Sequence, residues 1–183
     1  SYIRKNITED LVNEWTIYIL PTSNPDGQYN GWTNDGPGRT TLYSWAPGNK
    51  GIDMNRCFSV GYSSTGGNRN YNGTQPFQAF EAESLRDFIL NHTGSQNIVL
   101  DIHGWMNETI GDDGIGWYYR NAFGLSKHVY SYGGGYLINW ARSIPNTRSM
   151  LLELPQVWSH SDTVNWGYAD KFNNATMQIL RDF

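Results

Sequence analysis

The stretch Ile98-Val99-Leu100-Asp101-Ile102-His103-Gly104 decides the fold class of this 183-residue chain. Its near-continuous apolar run is typical of a central strand in a parallel sheet, and the glycine after His103 predicts a turn. The histidine therefore falls at the carboxyl end of the strand, where open α/β sheets bind their ligands. A second buried strand is predicted at Ser149–Leu154, with one carboxylate, Glu153, inside it.

Helical periodicity surrounds these two strands. Apolar residues recur at helical spacing in Ala79–Asn91 and in Trp166–Phe183, and a short helix is predicted at Tyr136–Arg142, after three glycines. Two further segments, Trp15–Leu20 and the weaker Gly116–Tyr119, are predicted as strands. Strands that alternate with helices predict an α/β fold.

A long loop region is predicted at residues 21–70, which are rich in Gly, Asn, Pro, Ser and Asp. Loops of this length in a compact domain are usually functional. Beyond this region the chain shows no internal repeat, and its size suits one domain or most of one.

Composition excludes several classes of protein. Thirteen basic against seventeen acidic residues give a net charge of -4, which disfavours nucleic acid as the main partner. The longest apolar runs are far shorter than the ~20 residues that cross a bilayer, so no membrane span is predicted. A single cysteine, Cys57, can form neither an internal disulfide nor a thiolate metal cluster.

Two side chains in the predicted strands are candidates for chemistry. Glu153 is either a strand-end carboxylate paired with an arginine or a general base whose pKa is raised by apolar surroundings. His103 is either structural or a metal ligand. Asp101 shares its face of the strand and could orient the imidazole or cap the neighbouring backbone.

A third candidate lies in the loop region. Asn55 and Arg56 are adjacent at the end of Gly51-Ile52-Asp53-Met54-Asn55-Arg56, and Arg39 precedes them. An amide beside a guanidinium offers the convergent donors that bind a carboxylate. The alternative is a surface loop with solvated arginines.

Together, these segments resemble a known family in their order and separation. The matching segments are Asn24-Pro25-Asp26-Gly27, Gly51-Ile52-Asp53-Met54-Asn55-Arg56, residues 73–83, Leu100-Asp101-Ile102-His103 and Leu152-Glu153-Leu154. The sequence resembles the zinc carboxypeptidases of the carboxypeptidase A type, and Asp101 to Trp105 is closer to the bacterial branch. The resemblance implies a three-layer α/β/α fold with a mixed, mostly parallel sheet. It implies that residues 1–183 are the carboxyl-terminal portion of one catalytic domain.

The resemblance also implies roles for individual residues. His103 corresponds to a zinc ligand, Glu153 to the catalytic glutamate and Arg39 to the arginine that polarises the scissile carbonyl. Asn55 and Arg56 correspond to the pair that grips the terminal carboxylate of a peptide substrate.

Two more correspondences concern the surroundings of the site. Tyr130 and Tyr132 are both candidates for the tyrosine that closes over the substrate, and the local spacing does not decide between them. Asp53 corresponds to an aspartate that supports another zinc histidine. The implied reaction is hydrolysis of a peptide bond by a zinc-bound water, with Glu153 as general base.

The family's other two zinc ligands form a His-x-x-Glu motif upstream of Asn24, and residues 1–23 contain no histidine. His92, His128 and His160 are not at motif positions. We therefore expect an amino-terminal portion of the same domain, as a partner, to supply these ligands and the missing early strands, so that zinc binds only to both portions together.

Substrate and location are expected from weaker signals. The bacterial resemblance favours cell-wall stem peptides, and few charges with many aromatic rings favour a secreted or extracytoplasmic protein. The alternatives are a degenerate carboxypeptidase-like scaffold that binds peptides and an aromatic-rich module that binds glycans.

Overall fold

Strands and helices alternate along the described part of the chain. The computed structural model describes residues 14–25, 27, 40–41, 51–65 and 70–183. The described strands are β1 (Asn97–Gly104), β2 (Glu108–Gly111), β3 (Lys127–Val129) and β4 (Thr147–Leu154). The helices are α1 (Phe80–Asn91), α2 (Asp113–Phe123), α3 (Leu137–Ala141), α4 (His160–Asn165) and α5 (Tyr168–Asp182), and a 3₁₀ turn spans Met54–Arg56. Most of the predicted loop region, including Arg39, lies outside the described residues.

The strands form one mixed sheet in the order β1-β4-β2-β3. β2 is antiparallel to β4 and parallel to β3. The amide of Asn97, where β1 begins, donates to the carbonyl of Asn146, directly before β4, at 2.9 Å. These neighbouring strands therefore begin side by side and run in the same direction. The α/β class, predicted from the alternation of elements, and the mixed sheet, implied by the family resemblance, are confirmed.

Strand β1 lies at an edge of the sheet as far as the described residues show. Its side chains are half-buried or exposed, and Ile102 is 40% exposed. A central position stays a prediction, because the expected amino-terminal portion of the domain would supply the strand on the other side of β1. An apolar strand of this kind needs neighbours on both sides and layers on both faces to be buried, and the described residues supply one neighbouring strand, β4.

The chain divides into two compact units. The first unit comprises residues 1–19, 99–131 and 149–183. Its core lies where α2 packs against α5, and Tyr119 of α2 is fully buried there. The Tyr119 hydroxyl hydrogen-bonds the Thr176 hydroxyl at 2.8 Å, so its polar tip is satisfied inside the core. Burial raises the pKa of Tyr119, which stays a neutral donor or acceptor.

The second unit comprises residues 20–98 and 132–148. Phe58, Phe77 and Trp140 pack together, with ring centroids 5.5 to 5.7 Å apart. Helix α1 begins one residue after the predicted start, but its apolar face is largely uncovered. Ala82 is buried, whereas Phe88 is 42% exposed. The described contacts therefore stabilise this unit through the loop residues and α3 more than through α1.

The strand predicted at Gly116–Tyr119 is wrong, because these residues belong to helix α2. The Asp112 carboxylate caps the helix by accepting from the amide of Ile115 at 2.9 Å. Gly124 ends the helix in the left-handed conformation, with φ of 68°. Aromatic residues favour strands by propensity, but the two caps and burial at helical spacing select the helix.

The strand predicted at Trp15–Leu20 is also absent from the structure, where these residues have no regular secondary structure. The Trp15 indole donates to the carbonyl of Leu180 in α5 at 2.9 Å, which attaches the segment to the first unit. Its last three residues are 53 to 61% exposed. A strand needs a hydrogen-bonded neighbour, and the described residues place none beside this segment.

Candidate functional site

His103 and Asp101 form a pair near the end of β1. The Nε2 atom of His103 lies 3.0 Å from a carboxylate oxygen of Asp101. Because a carboxylate accepts hydrogen bonds, Nε2 carries the proton and the lone pair of the neutral ring is on Nδ1. This is the arrangement in which a carboxylate orients an imidazole that binds a metal through its other nitrogen.

Glu153 lies at the same end of the sheet as His103. His103 is the seventh residue of β1 and Glu153 the seventh residue of β4. The two strands are neighbours, begin side by side and run in the same direction, so equal offsets bring both side chains to the carboxyl edge. Glu153 is half-buried as a residue, and the Oε2 atom of its carboxylate is buried.

The sequence reasoning missed a second carboxylate beside Glu153. Glu108 lies directly opposite Glu153 in the antiparallel register of β2 and β4, and its side chain is fully buried. Like charges in this position repel each other. The Lys127 ammonium, on β3, is 2.5 Å from the Glu108 carboxylate and offsets this repulsion. Since β2 and β3 are short and polar, no periodic signal in the sequence indicated this pair.

The remaining histidines lie away from His103 in the sequence and have structural contacts. His128 contacts the Thr109 hydroxyl at 3.0 Å, on the face of the sheet that α2 covers. His92 stacks on Phe88 at the end of α1, and His160 is exposed at the start of α4. None of these contacts resembles a metal site.

The described residues do not complete a zinc site. Among them, no group of three or more His, Cys, Asp or Glu side chains is arranged to hold a metal ion. His103 fits as one imidazole ligand, because Asp101 orients its ring, but a catalytic zinc needs three protein ligands. Of the residues that the structure describes, His103 is therefore the one candidate ligand at this edge of the sheet.

Asn55 and Arg56 form the 3₁₀ turn of the second unit. Asp53, which is 3% exposed, caps the turn by accepting from the amide of Asn55 at 3.1 Å. The side-chain oxygen of Asn55 accepts from the amide of Leu137 at 2.8 Å. This hydrogen bond joins the Asn55 side chain to the residue at which helix α3 begins.

The buried side chain of Asn72 stabilises this turn. Its nitrogen donates to the carbonyls of Arg56, at 3.0 Å, and Ser63, at 2.8 Å. Its oxygen accepts from the amide of Thr65 at 2.8 Å. Asn72 is 2% exposed, so these hydrogen bonds are shielded from water.

Replacement of this amide should therefore destabilise the second unit. We expect Asn72→Ala to lower the free energy of unfolding by about 2–4 kcal/mol, because it removes the side-chain hydrogen bonds of Asn72 and leaves buried backbone groups without a partner. Urea denaturation of the complete protein measures this difference. Asn174→Ala, at an exposed position of α5, is the matched control and should change stability little. Equal stability of the two variants would contradict this account of the turn.

The two candidate tyrosines are both exposed. Tyr130 is 72% exposed and Tyr132 is 46% exposed. Tyr130 belongs to the first unit and Tyr132 to the second. Exposure does not distinguish them, and both remain candidates.

Cys57 is not a nucleophile in this structure. It is fully buried, and burial raises the pKa of its thiol to about 12. At neutral pH the thiol is protonated and inaccessible, which excludes cysteine catalysis.

The same sequence matches one protein family over most of its length. The zinc carboxypeptidase family matches residues 1–156. The chain belongs to the zinc carboxypeptidase family. As a zinc carboxypeptidase relative, it shares its fold with solved structures. One is carboxypeptidase A from Helicoverpa armigera, with a TM-score of 0.71 and 21% identity over 88% of this chain and 50% of that one. Another is the murein-tripeptide amidase MpaA from Escherichia coli O157, with a TM-score of 0.58 and 19% identity over 87% of this chain and 64% of that one.

The names of the sequence relatives describe different kinds of protein. The chain is 40% identical to bacteriocin BCN5 of Clostridium perfringens, over 92% of this chain and 19% of the relative. It is 31% identical to carboxypeptidase B of Bos taurus, over 57% of this chain and 27% of the relative. It is 25% identical to an inactive metallocarboxypeptidase, ECM14, of Blastomyces gilchristii, over 60% of this chain and 20% of the relative. This zinc carboxypeptidase chain thus spans about a fifth to a quarter of these relatives.

In the described part of the chain, no helix is both long and apolar enough to cross a membrane.

Proposed function

We propose that residues 1–183 form the carboxyl-terminal portion of a zinc carboxypeptidase domain that hydrolyses a peptide bond at or near a chain end. The observation that carries the proposal is the pair of side chains at the carboxyl edge of the sheet. His103, oriented by Asp101, and Glu153 lie at equal offsets on neighbouring parallel strands. A metal-binding imidazole and a proton-accepting carboxylate are the two groups that metal-assisted hydrolysis needs from such an edge.

Further zinc ligands come, in this proposal, from an amino-terminal portion of the same domain. When bound, zinc acts as a Lewis acid, which polarises the peptide carbonyl and makes water more acidic. Among the described residues, β1 lies at an edge of the sheet, and the last three residues of Trp15–Leu20 are exposed. Both observations support a partner segment that pairs with this chain at these two places. The lone imidazole among the candidate ligands supports it as well.

The residues of this chain carry out proton transfer, stabilisation of charge and substrate binding. Glu153 takes a proton from the attacking water and returns it to the leaving amine. Arg39 holds the oxygen of the peptide carbonyl as negative charge develops on it. Asn55 and Arg56 bind the terminal carboxylate and so select the bond that is cut, and Tyr130 or Tyr132 closes over the substrate.

For the substrate, we propose peptides with a free carboxylate, such as stem peptides of the bacterial cell wall, and hence a secreted or wall-associated location. The fold similarity to a murein-tripeptide amidase and the 40% sequence identity with a bacteriocin support this choice.

Metal removal tests the proposal. The complete protein is incubated with peptides and muropeptides, and released carboxyl-terminal residues are quantified. We expect 1,10-phenanthroline to abolish release and added Zn²⁺ to restore it, whereas the non-chelating 1,7-isomer has no effect. Undiminished release after chelation would rule out a metallopeptidase.

A second candidate function is a degenerate scaffold that binds peptide or glycan without cleaving it. The similarity to an inactive metallocarboxypeptidase favours it, as do exposed rings such as Trp117 and Trp158. In that case the complete protein would bind peptide or glycan with the same affinity after chelation, would release no residue, and would tolerate Glu153→Gln.

A further inference from the structure

Arg56 is stacked on an aromatic ring. Its guanidinium carbon lies 4.1 Å from the centroid of the Tyr136 ring. Tyr136 follows the glycine run 133–135 and caps helix α3. A cation over a ring face at this distance is attracted by the ring's quadrupole, more strongly where water is partly excluded. Arg56 and Tyr136 are both half-buried, so the contact has this partial exclusion.

Backbone hydrogen bonds hold Tyr136 in this position. The amide of Phe58 donates to the carbonyl of Gly135 at 3.1 Å, and the amide of Gly135 donates to the carbonyl of Val60 at 2.9 Å. On the other side of Tyr136, the amide of Leu137 donates to the side chain of Asn55. The ring is therefore fixed by contacts at both neighbouring residues.

The turn that carries Arg56 packs closely against the segment that carries Tyr136, and this close packing requires glycine at position 135. A Cβ added there would lie 2.1 Å from the carbonyl oxygen of Arg56, and the residue has φ of +79°. Only glycine satisfies both conditions without strain. The turn that carries Arg56 and the segment that carries Tyr136 thus form one assembly within the second unit.

Arg56 is a cation without a carboxylate partner among the described residues. Its Nη1 donates to the carbonyl of Asn55 at 2.7 Å, and the guanidinium also contacts the Tyr136 ring. By contrast, Arg86 and Arg120 each pair with an aspartate or glutamate. A guanidinium that is held by a ring and has no anionic partner in the described ranges is prepared to bind an external anion, because less side-chain freedom is lost on binding.

We propose that Tyr136 is a positioning residue that holds the Arg56 guanidinium for the terminal carboxylate of the substrate. This role rests on the function proposed above, in which Arg56 binds that carboxylate. It predicts that the ring face of Tyr136, not its hydroxyl, determines how strongly the protein prefers a free carboxylate to a blocked one.

Binding of a matched ligand pair tests this role without requiring catalysis. N-acetylphenylalanine carries a free carboxylate, and N-acetylphenylalanine amide is its neutral counterpart. Calorimetric titration of the complete protein gives a dissociation constant for each. We expect the acid to be preferred, Tyr136→Leu to reduce the preference about tenfold, and Tyr136→Phe to keep it. Phe80→Leu, an exposed ring on α1, is the control and should change nothing.

Kinetics with carboxyl-terminal peptides supply a second readout. Tyr136→Leu should raise KM about tenfold and leave kcat within about twofold, because a contact made equally in the ground and transition states is lost. If Tyr136→Leu does not fold, as judged by circular dichroism, Tyr136→Met replaces it in both experiments.

Three results would overturn the proposal. They are an unchanged acid preference in Tyr136→Leu and Tyr136→Met, equal weakening for acid and amide, and no acid preference in the native protein. Native preference for the acid without any hydrolysis would instead overturn the peptidase function and leave the role of Tyr136 standing.

Discussion

Glu153→Gln, made in the complete protein, is expected to lower kcat about 10³-fold and leave KM nearly unchanged. The amide has the shape of the carboxylate but cannot accept a proton from water, and general base catalysis contributes about 10²–10⁴ to the rate. Glu108 cannot take over the role, because it is fully buried opposite Glu153 and already contacts Lys127. Single-turnover release of a carboxyl-terminal residue measures the effect on chemistry.

A matched variant separates this effect from a general loss of structure. Glu83→Gln changes an exposed carboxylate on α1 and should keep full activity. Circular dichroism and urea denaturation should show that both variants fold. Full activity of Glu153→Gln would remove the general base from the proposal and favour the scaffold function.

Arg56→Met should produce the second largest effect, a loss of about 100-fold in kcat/KM for peptides with a free carboxylate. Charge-assisted hydrogen bonds to a carboxylate contribute about 1.5–3 kcal/mol each, and methionine retains the stem but neither the charge nor the donors. Most of the loss should appear in KM. Arg56→Lys should be intermediate, because an ammonium keeps the charge and loses the planar fork.

Peptide amides distinguish this effect from damage to the site. Binding of an amide should be the same in the native protein and in Arg56→Met, since the amide offers no carboxylate. Arg86→Met is the control for loss of an arginine, because Arg86 is a half-buried residue of α1 that pairs with Glu83 and Asp87 and also stacks on a ring, Phe77. An equal loss for acid and amide substrates would mean that Arg56 supports the turn and does not bind the terminal carboxylate.

Long periodic segments of the chain were predictable. β1 and β4 were recognised from apolar runs, and α1 and α5 from helical spacing, because each of these elements has at least eight residues. Short elements were not. β2 and β3 have four and three residues, and β2 is buried although it begins with two polar residues, Glu108 and Thr109. The aromatic run in α2 has strong strand propensity, and its caps outweighed that propensity.

The candidate site was predictable where it coincided with motifs. His103 and Glu153 stand out as polar residues in apolar strands, and Asn55 and Arg56 as adjacent donors in a loop. The contacts that support them did not stand out. Glu108 lies opposite Glu153 because of the register between β2 and β4. Tyr136 contacts Arg56 because the chain brings together two segments that are about 80 residues apart in the sequence.

The sequence by itself determined the family, the α/β class and the candidates for chemistry, because motifs and periodicity are local properties that can be counted along the chain. The tertiary structure decided which side chains meet. It paired Asp101 with His103, Lys127 with Glu108 and Tyr136 with Arg56. The last two of these contacts join residues far apart in sequence, and their geometry arises from strand register and backbone hydrogen bonds, which leave no period in the sequence.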